Sequence, residues 1–143
     1  MYIAEIEFST PAFDENLRLR NEILRIPLKL EFYAADIAEE WESTHLGCYD
    51  ATGNLLGSLI MKPLSDGQVK MRQVAVAEKH QKRGIGKRLV AASEVWAKTN
   101  GFSEIILHAR ESAVPFYLQQ DYQKSGKKFT EVNIPHFKMR KVL

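Results

Sequence analysis

An α+β fold, a mostly antiparallel sheet carrying helices, is what this sequence predicts, on three observations. Between residues 46 and 76 the chain passes through β-rich stretches joined by short turn-forming segments. The segment from Gly86 to about Asn100 is strongly amphipathic at helical spacing. Beyond it, strand-like and helical runs alternate to the last residue. At 143 residues and 45% hydrophobic content the chain buries one core of ordinary size, so residues 1–143 are read as a single domain.

In chain order, Tyr2 to Phe8 alternates well enough for a first strand. Thr10 and Pro11 then supply a helix cap and a proline at the first helical position, and Pro27 opposes continuation beyond about Arg25. The apolar stripe of this helix, Leu17, Asn21, Ile23 and Leu24, is incomplete. A loop and a short helix over Ala35 to Glu42 are expected next. Three strands follow at Leu46 to Tyr49, Leu55 to Pro63 and Val69 to Val76, separated by Asp50-Ala51-Thr52-Gly53-Asn54 and Ser65-Asp66-Gly67, which carry turn chemistry. The amphipathic helix gathers Leu89, Val90, Ser93, Trp96 and Ala97 on one face and is closed by Asn100-Gly101. Glu104 to His108 reads as a buried strand and Ser112 to Gln120 as a second short helix. Two last strands are expected at Tyr122 to Thr130 and His136 to Val142, broken around Asn133-Ile134-Pro135.

Composition narrows the partners. A net charge of +2 points to no polyanion, and the short basic cluster from Lys79 to Arg88 lacks the interleaved aromatics that suit a nucleic acid. No membrane partner is expected, since no run approaches the roughly 18 uninterrupted apolar residues of a span. Met1 leads into Tyr2-Ile3-Ala4-Glu5-Ile6 without the pattern of a leader, and the lone Cys48 excludes an internal disulfide, so the chain reads as soluble and cytoplasmic. His45 and Cys48 have a ligand-like spacing but no second pair, so no metal is expected.

The most informative segment lies between the strand ending near Val76 and the helix starting near Gly86: Gln81-Lys82-Arg83-Gly84-Ile85-Gly86. Strand, glycine loop and helix N-terminus together form an anion-binding arrangement, because the first helical turn has unpaired N–H groups and the positive end of the dipole. Glycines at 84 and 86 allow positive φ and close approach, and Lys79, Lys82, Arg83, Lys87 and Arg88 add an attractive field. A Walker A loop needs four residues between its glycine and Gly-Lys, then Ser or Thr, but Arg88 follows Lys87. The dinucleotide fingerprint needs a third glycine where Leu89 stands. A solvated turn remains the competing reading of the loop taken alone.

Gln-x-x-Gly-x-Gly after Val74-Ala75-Val76, with the amphipathic helix behind it, resembles the acyl-CoA loop of the GNAT superfamily of N-acetyltransferases. The resemblance continues through Asn100-Gly101-Phe102, Ile105-Ile106-Leu107-His108-Ala109-Arg110, Ala113-Val114-Pro115-Phe116-Tyr117 and Tyr122 to Ile134-Pro135-His136, covering about Leu55 to Leu143. The early helix, Leu17-Arg18 to Pro27, is similar to that of a bacterial small-molecule acetyltransferase subgroup. This resemblance implies an α/β GNAT fold whose central mixed, mostly antiparallel sheet has a splayed pair of strands at the CoA site and about four flanking helices. It implies transfer of the acetyl group of acetyl-CoA to a primary amine, small molecules favoured, by direct attack in a ternary complex. By the same resemblance the strand through Gln73, Val74, Ala75 and Val76 offers main-chain groups to the pantetheine and thioester. The loop Gln81, Lys82, Arg83, Gly84, Ile85 and Gly86, with Lys87, takes the pyrophosphate, and Arg110 and Phe116 lie beside the cofactor.

Tyr117, four residues after Ala113, stands where the family often has a tyrosine that protonates the leaving thiolate; an aromatic pair with Phe116 that merely packs is the competing reading. His136 and His108 are the candidate bases and Glu131 a weaker third, a satisfied structural histidine being at least as common. Arg110 replaces the asparagine of many relatives, and Asp121 replaces a glycine, which suggests a left-handed turn there. The acceptor side should be built from the N-terminal helices and the last hairpin. Glu31, Asp36, Glu39, Glu40, Glu42 and Asp50, with no Lys or Arg among residues 31–50, raise a cationic amine, though an acidic solvated face is the preferred reading. A homodimer is one oligomeric option. The rival from another class is a non-catalytic acyl-CoA-binding or sensor protein on the same fold.

Overall fold

A computed structural model describes residues 1–30 and 34–143. Strand β1 (Tyr2–Ile6) leads into helix α1 (Pro11–Arg20). The Thr10 hydroxyl accepts from the Phe13 N–H at 3.3 Å, and Pro11 occupies a position that has no helical N–H to satisfy. The helix does not stop at Arg20. It widens into a π-helical turn at Asn21–Arg25 and tightens into a 3-10 turn at Ile26–Leu28, where Pro27 stands, and Lys29 at φ 57° reverses the chain. The expected extent holds, but the inward face does not: Phe13, Asn16, Leu19 and Arg20 are buried, while Leu17, Asn21, Ile23 and Leu24 are only partly covered. Positions 13, 16 and 20 share a face at helical spacing, and two of them are polar, so apolar residues alone do not trace it.

After α2 (Ala34–Ala38) and a 3-10 turn at Glu39–Glu42, strands β2 (Thr44–Tyr49), β3 (Leu55–Pro63) and β4 (Gln68–Val76) form the expected antiparallel meander, with β1 antiparallel to β2. Asp50 organises the β2–β3 turn. Its carboxylate accepts from the N–H groups of Thr52 and Asn54, both at 2.9 Å, and hydrogen bonds from Asn54 foremost hold its pKa down at about 2.

Helix α3 (Ile85–Thr99) returns the chain to β5 (Glu104–Arg110), which lies parallel to β4. A 3-10 turn at Glu111–Ala113, helix α4 (Val114–Gln119) and strands β6 (Gln123–Lys124), β7 (Phe129–Glu131) and β8 (Ile134–Val142) complete the fold. The order across the sheet is β1-β2-β3-β4-β5-β8-β6, with β7 also on β8, and β4–β5 is the parallel pair. The stretch expected as one strand from Tyr122 to Thr130 is two short strands around Gly126 at φ 91°, and Ile134 and Pro135 belong to β8. The break falls instead at Val132 and Asn133, with φ 46° and 61°, the two-residue turn that suits a hairpin's twist.

Helices α3 and α4 cover one face of the sheet over a core that includes Leu59, Met71, Leu89, Val90, Leu107 and Met139. Helix α1 covers part of the other, where Ile6, Phe13, Leu19 and Ile60 are buried. Both α3 and α4 close through a left-handed residue, Gly101 at φ 83° and Asp121 at φ 69°. The Phe102 N–H reaches the Ala97 carbonyl at 3.0 Å and the Tyr122 N–H that of Tyr117 at 3.1 Å, so Asp121 adopts the conformation its replacement of glycine suggested. Among the described residues no helix is long and apolar enough to cross a membrane.

Candidate active site

Strands β4 and β5 pair for only four residues, Gln68 to Met71 against Glu104 to Leu107. Beyond Met71, β4 carries a bulge. Gln73 and Val74 together fill the place opposite Leu59, between the pairs Ile60–Arg72 and Ser58–Ala75, and Gln73 sits at φ 50°. A bulge bends its strand and strengthens the local twist. Strand β5 meanwhile stays on β8 through Ala109 and Arg110. The two strands therefore part in a V, with its apex at Met71 and Leu107 and its walls formed by Arg72 to Val76 and by His108 to Arg110. Along these walls the main chains form no ladder with each other. This is the splayed pair expected of Val74, Ala75 and Val76.

A buried polar network holds the bulge from the α1 side. The Arg20 guanidinium, 0% exposed, donates through Nε to Gln73 Oε1 at 2.8 Å, and through Nη1 and Nη2 to the two Glu40 carboxylate oxygens at 2.9 and 2.6 Å. It also donates to Asn16 Oδ1 at 3.2 Å, and Asn16 donates to Ser58 Oγ at 2.6 Å. Burial lowers the Arg20 pKa, opposed by the Glu40 carboxylate. His45 adds a contact from Nε2 to the Glu40 carbonyl oxygen at 3.1 Å, and its buried Nδ1 meets no partner among the described residues. Burial pushes its pKa down, so the ring is held neutral. His45 and Cys48 lie on opposite faces of β2, so their spacing does not converge on one ion.

The expected acidic run is divided in the same way. Glu40 is neutralised by Arg20, Asp50 caps a turn, Asp36, Glu39 and Glu42 are exposed, and Glu31 lies outside the described residues.

At the mouth of the V, the loop is stapled to β4 by Gln81, whose amide donates to the Val76 carbonyl at 3.0 Å. The chain turns at Lys82, φ 63°, and at Gly84, φ 81°, before α3 begins at Ile85. Gly84 is required by its conformation, since a Cβ there would meet nothing within 4 Å. Gly86 serves differently. It is helical, and a Cβ on it would only touch the Phe116 ring at 3.4 Å, so its bareness leaves room at the helix N-terminus. Ile85 is buried and anchors the first turn in the core, while Lys82, Arg83, Lys87 and Arg88 are exposed around it. Unpaired N–H groups of a fifteen-residue helix, a bare approach and a ring of cations fit a diphosphate.

Tyr117 lies in α4 on the same side. It is 7% exposed, with its ring edge-on to Phe116 and to Tyr122 at 5.0 and 5.8 Å. Burial pushes its pKa up to about 12. The two buried tyrosines differ in their hydroxyls. That of Tyr122 donates to Glu94 at 3.1 Å, whereas that of Tyr117 has no hydrogen-bond partner among the described residues. Phe116 and Tyr117 do pack as a pair, and packing alone leaves the Tyr117 hydroxyl without a task.

On the opposite face the structure brings the three candidate bases together. His108 Nδ1 lies 3.1 Å from Glu131 Oε1, and His136 Nε2 lies 3.7 Å from Glu131 Oε2. His136 is nearly buried, and its Nδ1 is 2.8 Å from the Ile134 carbonyl, which fixes that nitrogen as the donor. His108, with 27% of its side chain exposed, is the first β5 residue past the apex. Arg110 shares this face rather than that of Ala109 and Tyr117, which separates it from the glycine loop. Sequence reading missed Asn16 and Arg20, and it read Glu40 as a member of the acidic run rather than as the partner of Arg20. The signal for Asn16 and Arg20 was helical spacing in a stretch that looks polar.

The geometry agrees with what known proteins share with the chain. The family model described as an acetyltransferase (GNAT) domain matches residues 28–143. N-acetyltransferase family 8 member 3 of Rattus norvegicus is 28% identical over 106 residues, 66% of this chain and 46% of that protein. The chain spans about half the length of the curated relatives it matches. Among solved structures, an aminoglycoside 6′-N-acetyltransferase complexed with coenzyme A superposes with a TM-score of 0.83 at 20% identity, covering 99% of this chain and 97% of that one. An acyl-CoA N-acyltransferase from Pseudomonas aeruginosa gives 0.82 at 19% identity, with 99% of both chains covered. These likenesses extend the shared fold through β1 and α1, ahead of the matched residues. With a splayed sheet, a glycine loop at the N-terminus of α3 and a family match over most of its length, the chain belongs to the GNAT acetyltransferase family.

Proposed function

We propose that the protein, acting as one domain, transfers the acetyl group of acetyl-CoA to a primary amine of a small molecule in a ternary complex. The observation that carries this reading is the V between β4 and β5 with the glycine loop at its mouth. The main-chain groups between Val74 and Val76 that are engaged neither by β3 nor by Gln81 hydrogen-bond an extended acyl arm, and a backbone N–H there polarises the thioester carbonyl. Main-chain donors from Lys82 to Gly86 and the charges of Lys82, Arg83 and Lys87 hold the diphosphate. Phe116 forms a floor beside Gly86.

The amine nitrogen forms its bond to the carbonyl carbon as the carbon–sulfur bond breaks. The proton it sheds goes to His108, steadied by Glu131, because His108 is the more open histidine and stands at the apex. Tyr117 serves the leaving sulfur as general acid. With its pKa at about 12, full transfer to a thiolate of ordinary pKa is uphill by roughly 5 kcal/mol, so most of its help is a hydrogen bond to the developing charge. The lone buried Cys48 fits work in a reducing cytoplasm.

Calorimetry with acetyl-CoA on the wild type and on Gly84→Val, followed by release of free thiol across an amine panel, tests this. We expect binding that Gly84→Val weakens, turnover with at least one amine, and roughly 10²-fold lower kcat in Tyr117→Phe with little change in acetyl-CoA affinity. Binding without thiol release, and indifference to Tyr117→Phe, would instead make the chain an acyl-CoA-binding or sensor module. Absence of binding would remove both readings.

A further inference from the structure

The face of the sheet opposite α3 and α4 is basic where it borders the apex of the V. Lys62 of β3 pairs with Lys70 of β4, and Arg72 follows Lys70 on the same side of the strand. Lys138 of β8 pairs with His108 and completes the arc. Among the described residues none of these four cations has a carboxylate within 4 Å. Arg140, one step further along β8, is satisfied by Glu104, and Glu40 by Arg20, so the carboxylates that could neutralise the arc are committed elsewhere. Among the described residues the carboxylate near the arc is Glu131, and it faces the two histidines.

Lys70 is the sharpest case. It is half-buried, and its Nζ lies 3.4 Å from His108 Nδ1, the nitrogen that also faces Glu131 at 3.1 Å. One ring nitrogen cannot donate to Glu131 and accept from Lys70 at once. The shorter contact, to the carboxylate, makes Nδ1 the donor and leaves the Lys70 ammonium without an acceptor among the described residues. Burial, then Arg72, disfavours its charge, and Lys62 and Lys138 press the same way against Glu131 alone. Three half-buried cations and the exposed Lys62, gathered without a paired carboxylate among the described residues, form a complementary surface for an anion.

We propose that the acceptor amine carries an oxyanion, a carboxylate or a phosphate, which docks on Lys62, Lys70, Arg72 and Lys138 beside His108. The placement rests on the acetyl-transfer reading above. The patch flanks the apex on the face away from α3 and α4, so an acceptor held there by its anion presents its nitrogen to the gap from the side opposite the glycine loop. Among the described residues, the members of the acidic run do not gather into one competing site for a cationic acceptor.

The test compares acceptors in matched pairs: α-amino acids against their decarboxylated amines, and glucosamine 6-phosphate against glucosamine. Affinity is measured by calorimetry on the CoA-loaded protein and kcat/KM by thiol release. The wild type, Lys70→Met and Lys138→Met are compared, with Lys98→Met on α3 as a control outside the patch. We expect at least one oxyanion-bearing member to exceed its twin without the oxyanion by about 10-fold or more, and the ratio to fall several-fold in both patch variants but not in Lys98→Met. The amino acid and sugar phosphate arms tell carboxylate from phosphate. A ratio at or below one throughout, or a preference unmoved by either patch variant, overturns the proposal. Thiol release tests the transfer reading separately: a protein that favours the oxyanion-bearing twin in calorimetry but releases no thiol keeps the patch and loses the chemistry.

Discussion

Arg20 carries more of the site's geometry than its place in the sequence suggests. It is fully buried, and it joins α1, the turn after α2 and the bulge at Gln73 through one guanidinium. Removing one member of a buried ion pair strands the other's charge, at a cost of about 3–5 kcal/mol. Arg20→Met should therefore lower stability by that order, read from denaturant midpoints, while Arg20→Met combined with Glu40→Met recovers much of the loss. The double variant should still turn over poorly, because Gln73 loses its tether in both. A double variant with wild-type kcat would show that the network supports the fold alone. At this scale the sequence was legible where backbone chemistry decides: the Thr10 cap, Gly84, Gly101 and the left-handed Asp121. It was opaque where two polar residues twenty positions apart find each other inside, since Arg20 and Glu40 look like ordinary surface residues until the fold encloses them.

Among the elements, the start of α3 offers a clean separation of fold from ligand. A methyl on Gly86 meets only the Phe116 ring at 3.4 Å and Val76 at 3.9 Å, and alanine is favoured over glycine in a helix by up to about 1 kcal/mol. Gly86→Ala should keep or raise the melting temperature and yet bind CoA more weakly, because the added methyl would stand at the proposed diphosphate site. Gly84→Val should lose on both counts, since a β-branched residue at φ 81° is strained by about 1–3 kcal/mol. Equal losses of CoA affinity and stability in Gly86→Ala would refute a ligand-facing role for that glycine. The elements themselves were readable from periodicity and turn residues, α3 and the β2–β4 meander to within about two residues. The last hairpin was not, because Val132-Asn133 carries neither glycine nor a strong turn dipeptide, and Pro135 looks like a breaker although it sits inside β8.

Over the whole molecule, the sheet consists of two wings, β1–β4 and β5 with β8, β6 and β7, joined by a four-residue parallel seam. No local pattern in the sequence announces that β8 lies between β5 and β6, and only the likeness to a known family implied the splay. A ligand that fits between the wings adds bonds across a seam the chain leaves short, so acetyl-CoA at about 100 times its Kd should stabilise the protein by roughly 2.7 kcal/mol. A thermal scan should show a rise of about 6–10 °C, and a much smaller one in Gly84→Val. No shift at saturating acetyl-CoA would mean that the wings are held together without it. The bulge at Gln73 also has a cost to colloidal behaviour. By turning β4 away from β5 it leaves two strand edges inside the molecule whose amides and carbonyls can template a stray extended segment of another chain. Solutions without acetyl-CoA should then clump sooner on warming than solutions that contain it, and equal clumping in both would show that these edges do not drive association.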